Sequence, residues 1–187
     1  MTHIKWITPI VALFIIAVFI FYKPSRILIP EVNDVDCVTK ILCLDDISRL
    51  HEADELVAGS IAAVENRLGS LNNHPKFVFC STQRCFEQFG FKRAAAQTVG
   101  RSGIVIGPNG WKPHYVKHEI IHHWQAENIG VIKMHFVDDW LIEGMAYTLS
   151  DDPRKQLTQP WQAYREAFMQ WYSRVDRVNL VTAINSI

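Results

Sequence analysis

Residues 113–127 have the sequence Pro-His-Tyr-Val-Lys-His-Glu-Ile-Ile-His-His-Trp-Gln-Ala-Glu, and this stretch governs the interpretation of the whole chain. His118 and His122 are four apart, so on a helix both imidazoles lie on one face, one turn from each other. Ile120 and Trp124 repeat with the same spacing on the opposite face. The pattern predicts a helix that packs its apolar side on a core and presents two histidines to a cleft.

Glu119 follows the first histidine and completes the pattern His-Glu-x-x-His. Two stacked histidine nitrogens can hold two corners of a tetrahedral Zn²⁺, and the adjacent carboxylate can reach a water at a remaining corner. The alternative is a surface helix that carries these three residues by chance. A third ligand at a suitable place decides between the two interpretations.

A carboxylate that suits this role, Glu143, lies within residues 140–146, Trp-Leu-Ile-Glu-Gly-Met-Ala. The segment is predicted to begin a second helix, and Gly144 and Ala146 are small enough to let that helix approach the first one closely. An exposed glutamate near a helix start is the alternative, because acidic residues are favoured there. Together with the two histidines, Glu143 gives the two-histidine, one-glutamate ligand set of catalytic zinc sites.

The two motifs together resemble the gluzincins, zinc peptidases that combine His-Glu-x-x-His with a downstream glutamate. The sequence around Glu143 is similar to the Trp-Leu-x-Glu-Gly-x-Ala motif of aminopeptidase-type gluzincins and their relatives. The resemblance covers roughly residues 103–150. It implies that one Zn²⁺ is bound by His118, His122 and Glu143, and that Glu119 is the catalytic base and acid.

The mechanism that the resemblance implies is hydrolysis of a peptide bond in a peptide or protein substrate. Zinc lowers the pKa of its bound water to about 7, and Glu119 takes the proton and delivers it to the leaving amine. In the family, the strand before the active-site helix binds extended peptide, and residues 103–107 are the matching candidate. Four side chains are conceivable donors to the oxyanion, namely His135, Tyr147, Tyr164 and Tyr172.

The expected fold is α+β and zincin-like, with a small mixed sheet packed on the active-site helix and a mainly helical C-terminal half. The chain has no room for the extra domains of the large aminopeptidases and lacks their motif for the substrate amine. A metzincin is excluded, because Asn128 occupies the position of its third histidine. The alternative function is a catalytically silent zincin-like domain that binds metal or peptide at a membrane surface.

Residues 6–22 contain no charged side chain, and Lys5 and Lys23 flank them. Trp6 and Tyr22 suit the two interfaces of a bilayer, so the run predicts a single transmembrane segment. A cleaved signal peptide is the competing interpretation, but no small-x-small cleavage site follows. Flanking positive charges do not fix the orientation.

Four cysteines form two close pairs, Cys37 with Cys43 and Cys80 with Cys85. Neither pair has the Cys-x-x-Cys spacing of a zinc ribbon or a redox motif. Two short-loop disulfides would fit an oxidising compartment, on the periplasmic or extracellular side of a membrane. Four reduced thiols in a cytosolic domain are the alternative.

The composition limits the size of the domain and says little about its function. The 187 residues are 49% hydrophobic with 19 basic and 19 acidic side chains, enough for one core and without a basic stripe that would indicate nucleic acid. The predicted organisation is a transmembrane signal-anchor over 1–24, a linker over 25–44 and a zincin-like metallopeptidase domain over 45–187.

Overall fold

The computed structural model describes residues 11, 17, 19, 21–175 and 180–186, and the chain there is α+β. The five strands are β1 (Asp36–Cys37), β2 (Leu42–Leu44), β3 (Lys76–Phe79), β4 (Ala96–Val99) and β5 (Gly103–Ile106). The α-helices of defined bounds are α1 (Leu50–Leu68), α2 (Gln83–Gln88), α3 (Pro113–Gln125), α4 (Val131–Met134), α5 (Asp139–Leu149), α6 (Trp161–Tyr172) and α7 (Leu180–Asn185). Short 3-10 helices span Lys23–Leu28, Pro30–Asn33 and Ile47–Arg49, and a π-helical turn spans Ala126–Gly130.

The strands form one mixed sheet in the order β1-β2-β3-β5-β4. The central strand β3 pairs in parallel with β2 and β5, while β1 and β4 are added antiparallel at the two edges. Parallel strands are covered on both faces, and their sequences are therefore apolar throughout. Phe77, Val78, Phe79 and the apolar residues of β5 are all fully buried. The expected small mixed sheet is confirmed.

The sheet separates two apolar layers. On one face, Phe77, Phe79, Ile104 and Ile106 belong to a large core that also contains apolar residues of α1, α3, α5 and α6. On the other face, Val78 and Val105 join a smaller core with residues of α2 and of the N-terminal segment. Because the helices that carry the histidines and Glu143 both contribute to the larger core, they pack against each other on the same side of the sheet.

The N-terminal quarter differs from its predicted organisation. Residues 25–44, expected to form a linker, supply β1 and β2 to the sheet and bury Ile27 and Val35 in the smaller core. The predicted membrane segment, residues 6–22, lies almost wholly outside the described residues. Among the helices that are described, none has both the length and the apolar composition to cross a bilayer.

Both cysteine pairs are disulfide-bonded, as predicted, so the chain contains no free cysteine. The Cys37–Cys43 bond joins β1 to β2 at paired positions of the sheet. The Cys80–Cys85 bond joins the end of β3 to α2. Each bond closes a short loop at the side of the sheet that carries the smaller core.

The C-terminal half is helical, as expected, but Gly144 has a different role from the one predicted. It was expected to let α5 approach α3, whereas it faces α6. A Cβ at position 144 would overlap the backbone oxygen of Tyr164 and lie 2.8 Å from the Cβ of Phe168. Glycine is therefore required where α5 and α6 are closest.

We predict that Gly144→Ala destabilises the fold by roughly 1–3 kcal/mol, because a backbone oxygen of α6 cannot move out of the way without shifting the helix. The matched control is Gly59→Ala in the middle of α1, where no atom lies within 4 Å of the new Cβ. This control should raise stability by about 0.5–1 kcal/mol through helix propensity. Chemical denaturation measures both, and equal effects at the two sites would contradict the assigned helix contact.

Candidate metal site

The predicted histidine helix is confirmed as α3, Pro113–Gln125. Pro113 occupies its first turn, where the missing N–H leaves no hydrogen bond unmade. Ile120 is fully buried and Trp124 is 3% exposed, so this face packs on the large core. The opposite face carries His118 and His122 toward α5, as the spacing predicts.

Three side chains meet between α3 and α5. The Nε2 atoms of His118 and His122 lie 3.1 Å apart, and each lies 3.5 Å from an oxygen of Glu143. Tetrahedral zinc with bonds of about 2.0–2.1 Å places its ligand atoms roughly 3.3 Å from each other. The triangle therefore has the size that one small ion requires, and these three residues could hold a metal ion.

Gln125 fixes the orientation of one of the imidazoles. Its side chain is fully buried, and its Oε1 lies 2.8 Å from Nδ1 of His122. When Nδ1 carries the proton and donates it to Gln125, the lone pair on Nε2 is directed at the other ligands. The amide Nε2 of Gln125 donates to the backbone oxygen of Ile142 at 2.9 Å. One amide therefore orients a ligand on α3 and attaches it to the residue before Glu143 on α5.

Glu119 is 7% exposed and is held by Thr98 of the edge strand β4. The hydroxyl of Thr98 lies 2.7 Å from Oε2 of Glu119 and 2.9 Å from its backbone oxygen. With Oε2 engaged by Thr98, the other carboxylate oxygen, Oε1, remains to accept a proton. The arrangement places a positioned carboxylate next to the histidine pair on α3.

The strand next to the site is β4 rather than the predicted 103–107. Strand β5 lies between β3 and β4, so both of its edges are already paired. Just before β4, the backbone oxygen of Ala95 accepts from the N–H of Gly107, which sets the antiparallel alternation. By that alternation the N–H and C=O groups of Ala96 and Thr98 point away from β5. Among the described residues, no backbone hydrogen bond is made to these groups.

The charges of the ligand group are strongly coupled in the metal-free chain. Burial opposes a charge on His122, but the hydrogen bond and negative charge of Glu143 outweigh it and raise the pKa of His122 to about 9. Burial also opposes the charge on Glu143, and the hydrogen bonds from both histidines overcome it, holding the pKa of that carboxyl well below its usual range. In the metal-free chain near neutral pH, the raised pKa keeps His122 protonated and paired with Glu143.

Of the four predicted oxyanion donors, two lie at the site. The ring of Tyr147 packs edge-on against His118 with centroids 4.5 Å apart, and His135 lines the same cavity as His122. Burial, followed by the negative charge of Glu143, raises the pKa of Tyr147 to about 12, so its hydroxyl stays a donor. Tyr164 instead contacts Asp139 and Trp161, and Tyr172 stacks on Phe168.

A cavity of about 460 Å³ opens beside the ligands. Its floor includes His122, Glu143 and Thr98, and its walls come from β4, α4 and the residues before Ser25. The π-helical turn Ala126–Gly130 ends α3 at this cavity, and such turns are frequent at functional sites. The lining residues are Tyr22, Pro24, Phe91, Gln97, Thr98, Val99, Gly100, His122, Ala126, Val131, Met134, His135, Ile142 and Glu143.

Two residues at the site were not predicted from the sequence, Thr98 and Gln125. Gln125 follows His122 by three positions, and this spacing places two residues on one face of a helix. The contact could therefore have been predicted from the sequence. Thr98 lies 21 residues before Glu119 and has no such signal, because its contact depends on which strand forms the sheet edge.

The fold and site define an α+β protein with a two-histidine, one-glutamate group able to hold a metal ion. The chain matches no protein-family model, no curated protein and no solved structure.

We predict that Gln125→Leu weakens zinc binding about 10- to 100-fold, because His122 loses the acceptor that orients its ring. Gln125→Glu keeps that acceptor but cannot donate to Ile142, so it should bind zinc with nearly normal affinity while lowering fold stability. Chelator competition measures the affinity and thermal unfolding measures the stability. Equal zinc affinity in the two variants would contradict an orienting role.

We also predict that zinc binding near pH 7 releases about one proton, because a histidine ligand must be neutral and the pKa of His122 is about 9 in the metal-free chain. As pH rises toward 9 the proton is lost beforehand, so apparent affinity should rise about tenfold per pH unit over this range. The same raised pKa affects the free energy of unfolding of the metal-free chain. Protonated His122 stabilises the folded state fully below the pKa of the unfolded chain, roughly 6.5, and this stabilisation is lost as pH rises through the folded-state pKa of about 9. Calorimetry in buffers of different ionisation enthalpy counts the protons. The deciding count is made at pH 6, where a zinc-bound water with a pKa of about 7 stays largely protonated, and an absence of proton release there would be inconsistent with this assignment.

Proposed function

We propose that the chain is a membrane-anchored, zinc-dependent metallopeptidase of the gluzincin type. The observation that carries the proposal is Glu119, a buried carboxylate held by Thr98 beside the three converging ligand atoms. A group that only stored a metal would have no use for a second, positioned carboxylate next to its ligands. The proposal keeps the resemblance of both sequence motifs to gluzincins.

The ligand set supports zinc as the ion. Two imidazole nitrogens and one carboxylate in a triangle of tetrahedral dimensions suit zinc, whereas magnesium and calcium prefer sites built from oxygen alone. Three protein ligands leave one coordination position open, which is typical of catalytic rather than structural zinc. When bound, zinc would supply Lewis-acid chemistry at that open position.

The protein's own residues then have separate roles. Oε1 of Glu119 would accept a proton from the attacking water and pass it to the leaving amine nitrogen, while Thr98 holds Oε2. Gln125 would keep the ring of His122 in place during the reaction. The hydroxyl of Tyr147, protonated at any working pH, is the best placed of the predicted donors to the developing oxyanion.

A peptide substrate is supported by the outer edge of β4, which pairs with no other strand in the part of the chain that the structure describes. The backbone groups of Ala96 and Thr98 that point away from β5 can pair with an extended chain, which is a recurring mode of peptide recognition. Thr98 is also the residue that holds Glu119, so a peptide paired with this edge would pass directly over the proposed base. The edge strand therefore takes the substrate-binding role first expected of residues 103–107.

The proposed location is a single-pass membrane protein with its folded domain outside the cytoplasm, on the periplasmic or extracellular side. The uncharged run 6–22 supports the anchor, and the two disulfides support an oxidising compartment.

We predict that Glu119→Gln retains stoichiometric zinc but loses peptide cleavage by at least about 10²-fold, because an amide cannot accept the proton. His118→Ala and Glu143→Ala should instead lose the zinc itself, since each removes a ligand. Metal analysis and cleavage of a broad peptide library measure the two properties on the same preparations.

Thr98→Val is the graded control, because it removes the hydroxyl and keeps the size of the side chain. It should bind zinc normally and lower kcat less than Glu119→Gln does. Wild-type protein that binds zinc but cleaves no peptide would favour the silent, metal- or peptide-binding alternative. Wild-type protein without zinc would reject the peptidase and the metal-binding form of the alternative.

A further inference from the structure

An exposed apolar face lies at the rim of the cavity. Ile132 of α4 and Phe136, two residues beyond the end of α4, are 79% and 84% exposed, although side chains of this kind are normally buried. Phe21 and Tyr22, where the chain enters the domain, are 85% and 58% exposed. Exposed apolar side chains grouped in this way mark contact surfaces for proteins or membranes.

These two groups border the same opening. Tyr22 and Pro24 line the cavity from one side, and Val131 and Met134 of α4 line it from another. Phe21 precedes the first pair directly, while Ile132 and Phe136 lie within two residues of the second. The uncharged run 6–22 therefore ends at the mouth of the cavity that contains the ligand group.

The junction between that run and the domain is held by hydrogen bonds. Arg26 donates from Nε to the backbone oxygen of Phe19 at 3.2 Å and from Nη1 to the backbone oxygen of Gln88 at 2.9 Å. Its guanidinium thus joins the end of the apolar run to the end of α2. A domain attached in this way would keep the same face toward the surroundings of residues 6–22.

Basic residues neighbour the lining residues of the cavity in sequence. Five exposed residues lie within two positions of its lining, namely Lys23, Lys92, Arg93, Arg101 and Lys133. In the described part of the chain none of the five forms an ion pair. The acidic residues equally near the lining are Glu127, whose side chain is 1% exposed, and the ligand Glu143. Two exposed acidic residues, Asp138 and Asp139, follow Phe136 within three positions, so the excess of basic residues belongs to the lining and its sequence neighbours and not to the segment after Phe136.

We propose that this rim lies against the surface of an anionic lipid bilayer, with Ile132 and Phe136 in the interfacial layer and the basic residues at the head groups. Apolar side chains next to lysine and arginine are the composition that binds such surfaces. The inference rests on the proposed membrane anchor and peptidase activity. It identifies the substrate class as peptide segments close to the bilayer surface, since the cavity opens there.

The test uses the full chain reconstituted in nanodiscs of phosphatidylcholine and phosphatidylglycerol. A single cysteine introduced as Phe136→Cys is labelled with an environment-sensitive fluorophore, and Ile132→Cys is the second position. The native cysteines are all in disulfides and do not compete for the label. Met169→Cys, on a residue of α6 that is 54% exposed and absent from the cavity lining, is the matched control.

Labels at 136 and 132 should show blue-shifted emission and severalfold stronger quenching by doxyl-labelled lipid than the label at 169. Replacing phosphatidylglycerol with phosphatidylcholine should reduce this difference. Equal quenching at all three positions overturns the proposal and leaves the face for a protein partner. A chain that does not insert into nanodiscs overturns it too. Zinc content, measured on the same preparations, reports separately whether the metallopeptidase proposal fails.

Discussion

The contact between α3 and α5 is the interaction on which the rest of the structure depends. Two histidines and a glutamate are brought together in a largely buried place, where each polar group would be costly without a partner. They are compensated by each other, and Gln125 adds a hydrogen bond to each helix. Such a group is stable only if the two helices are held at a fixed separation. The sheet beneath α3 and the packing of α6 on α5 provide that rigidity.

The topology explains why Thr98 holds Glu119 next to the candidate ligands. Because β5 is interior, β4 is the strand that reaches the outer edge of the sheet beside α3. The antiparallel addition of β4 turns Thr98 toward Glu119 and leaves its own backbone groups unpaired within the described chain. One edge strand thus orients a carboxylate and leaves outward-facing backbone groups of the kind that the proposed peptide substrate would pair with.

What could be predicted from the sequence depended on how local the signal was. The helix from Pro113, the shared face of His118 and His122, and the two disulfides follow from spacings of a few residues, and the structure confirms them. The contact of Glu143 with the two histidines could be predicted only from the combination of His-Glu-x-x-His with the motif around Glu143. The errors were non-local. The pairing of β5 on both sides, the contribution of residues 25–44 to the sheet, and the contact of Gly144 with α6 all depend on strand order and helix packing across the chain.

The surroundings of His118 and His122 differ in how firmly they are held by side-chain contacts. Near His118, a network of ion pairs joins Lys117 and Arg67 to Asp151, and the side chain of Arg154 pairs with the buried carboxylate of Asp152. These contacts tie the segment after α5 to α1 and α3. Near His122, by contrast, the wall is the short helix α4. This helix directly follows the π-helical turn, and its apolar side chains Val131 and Ile132 are exposed. Adjustment of the cleft to a bound chain would therefore fall on the α4 side, and this is the side that meets the end of the apolar N-terminal run.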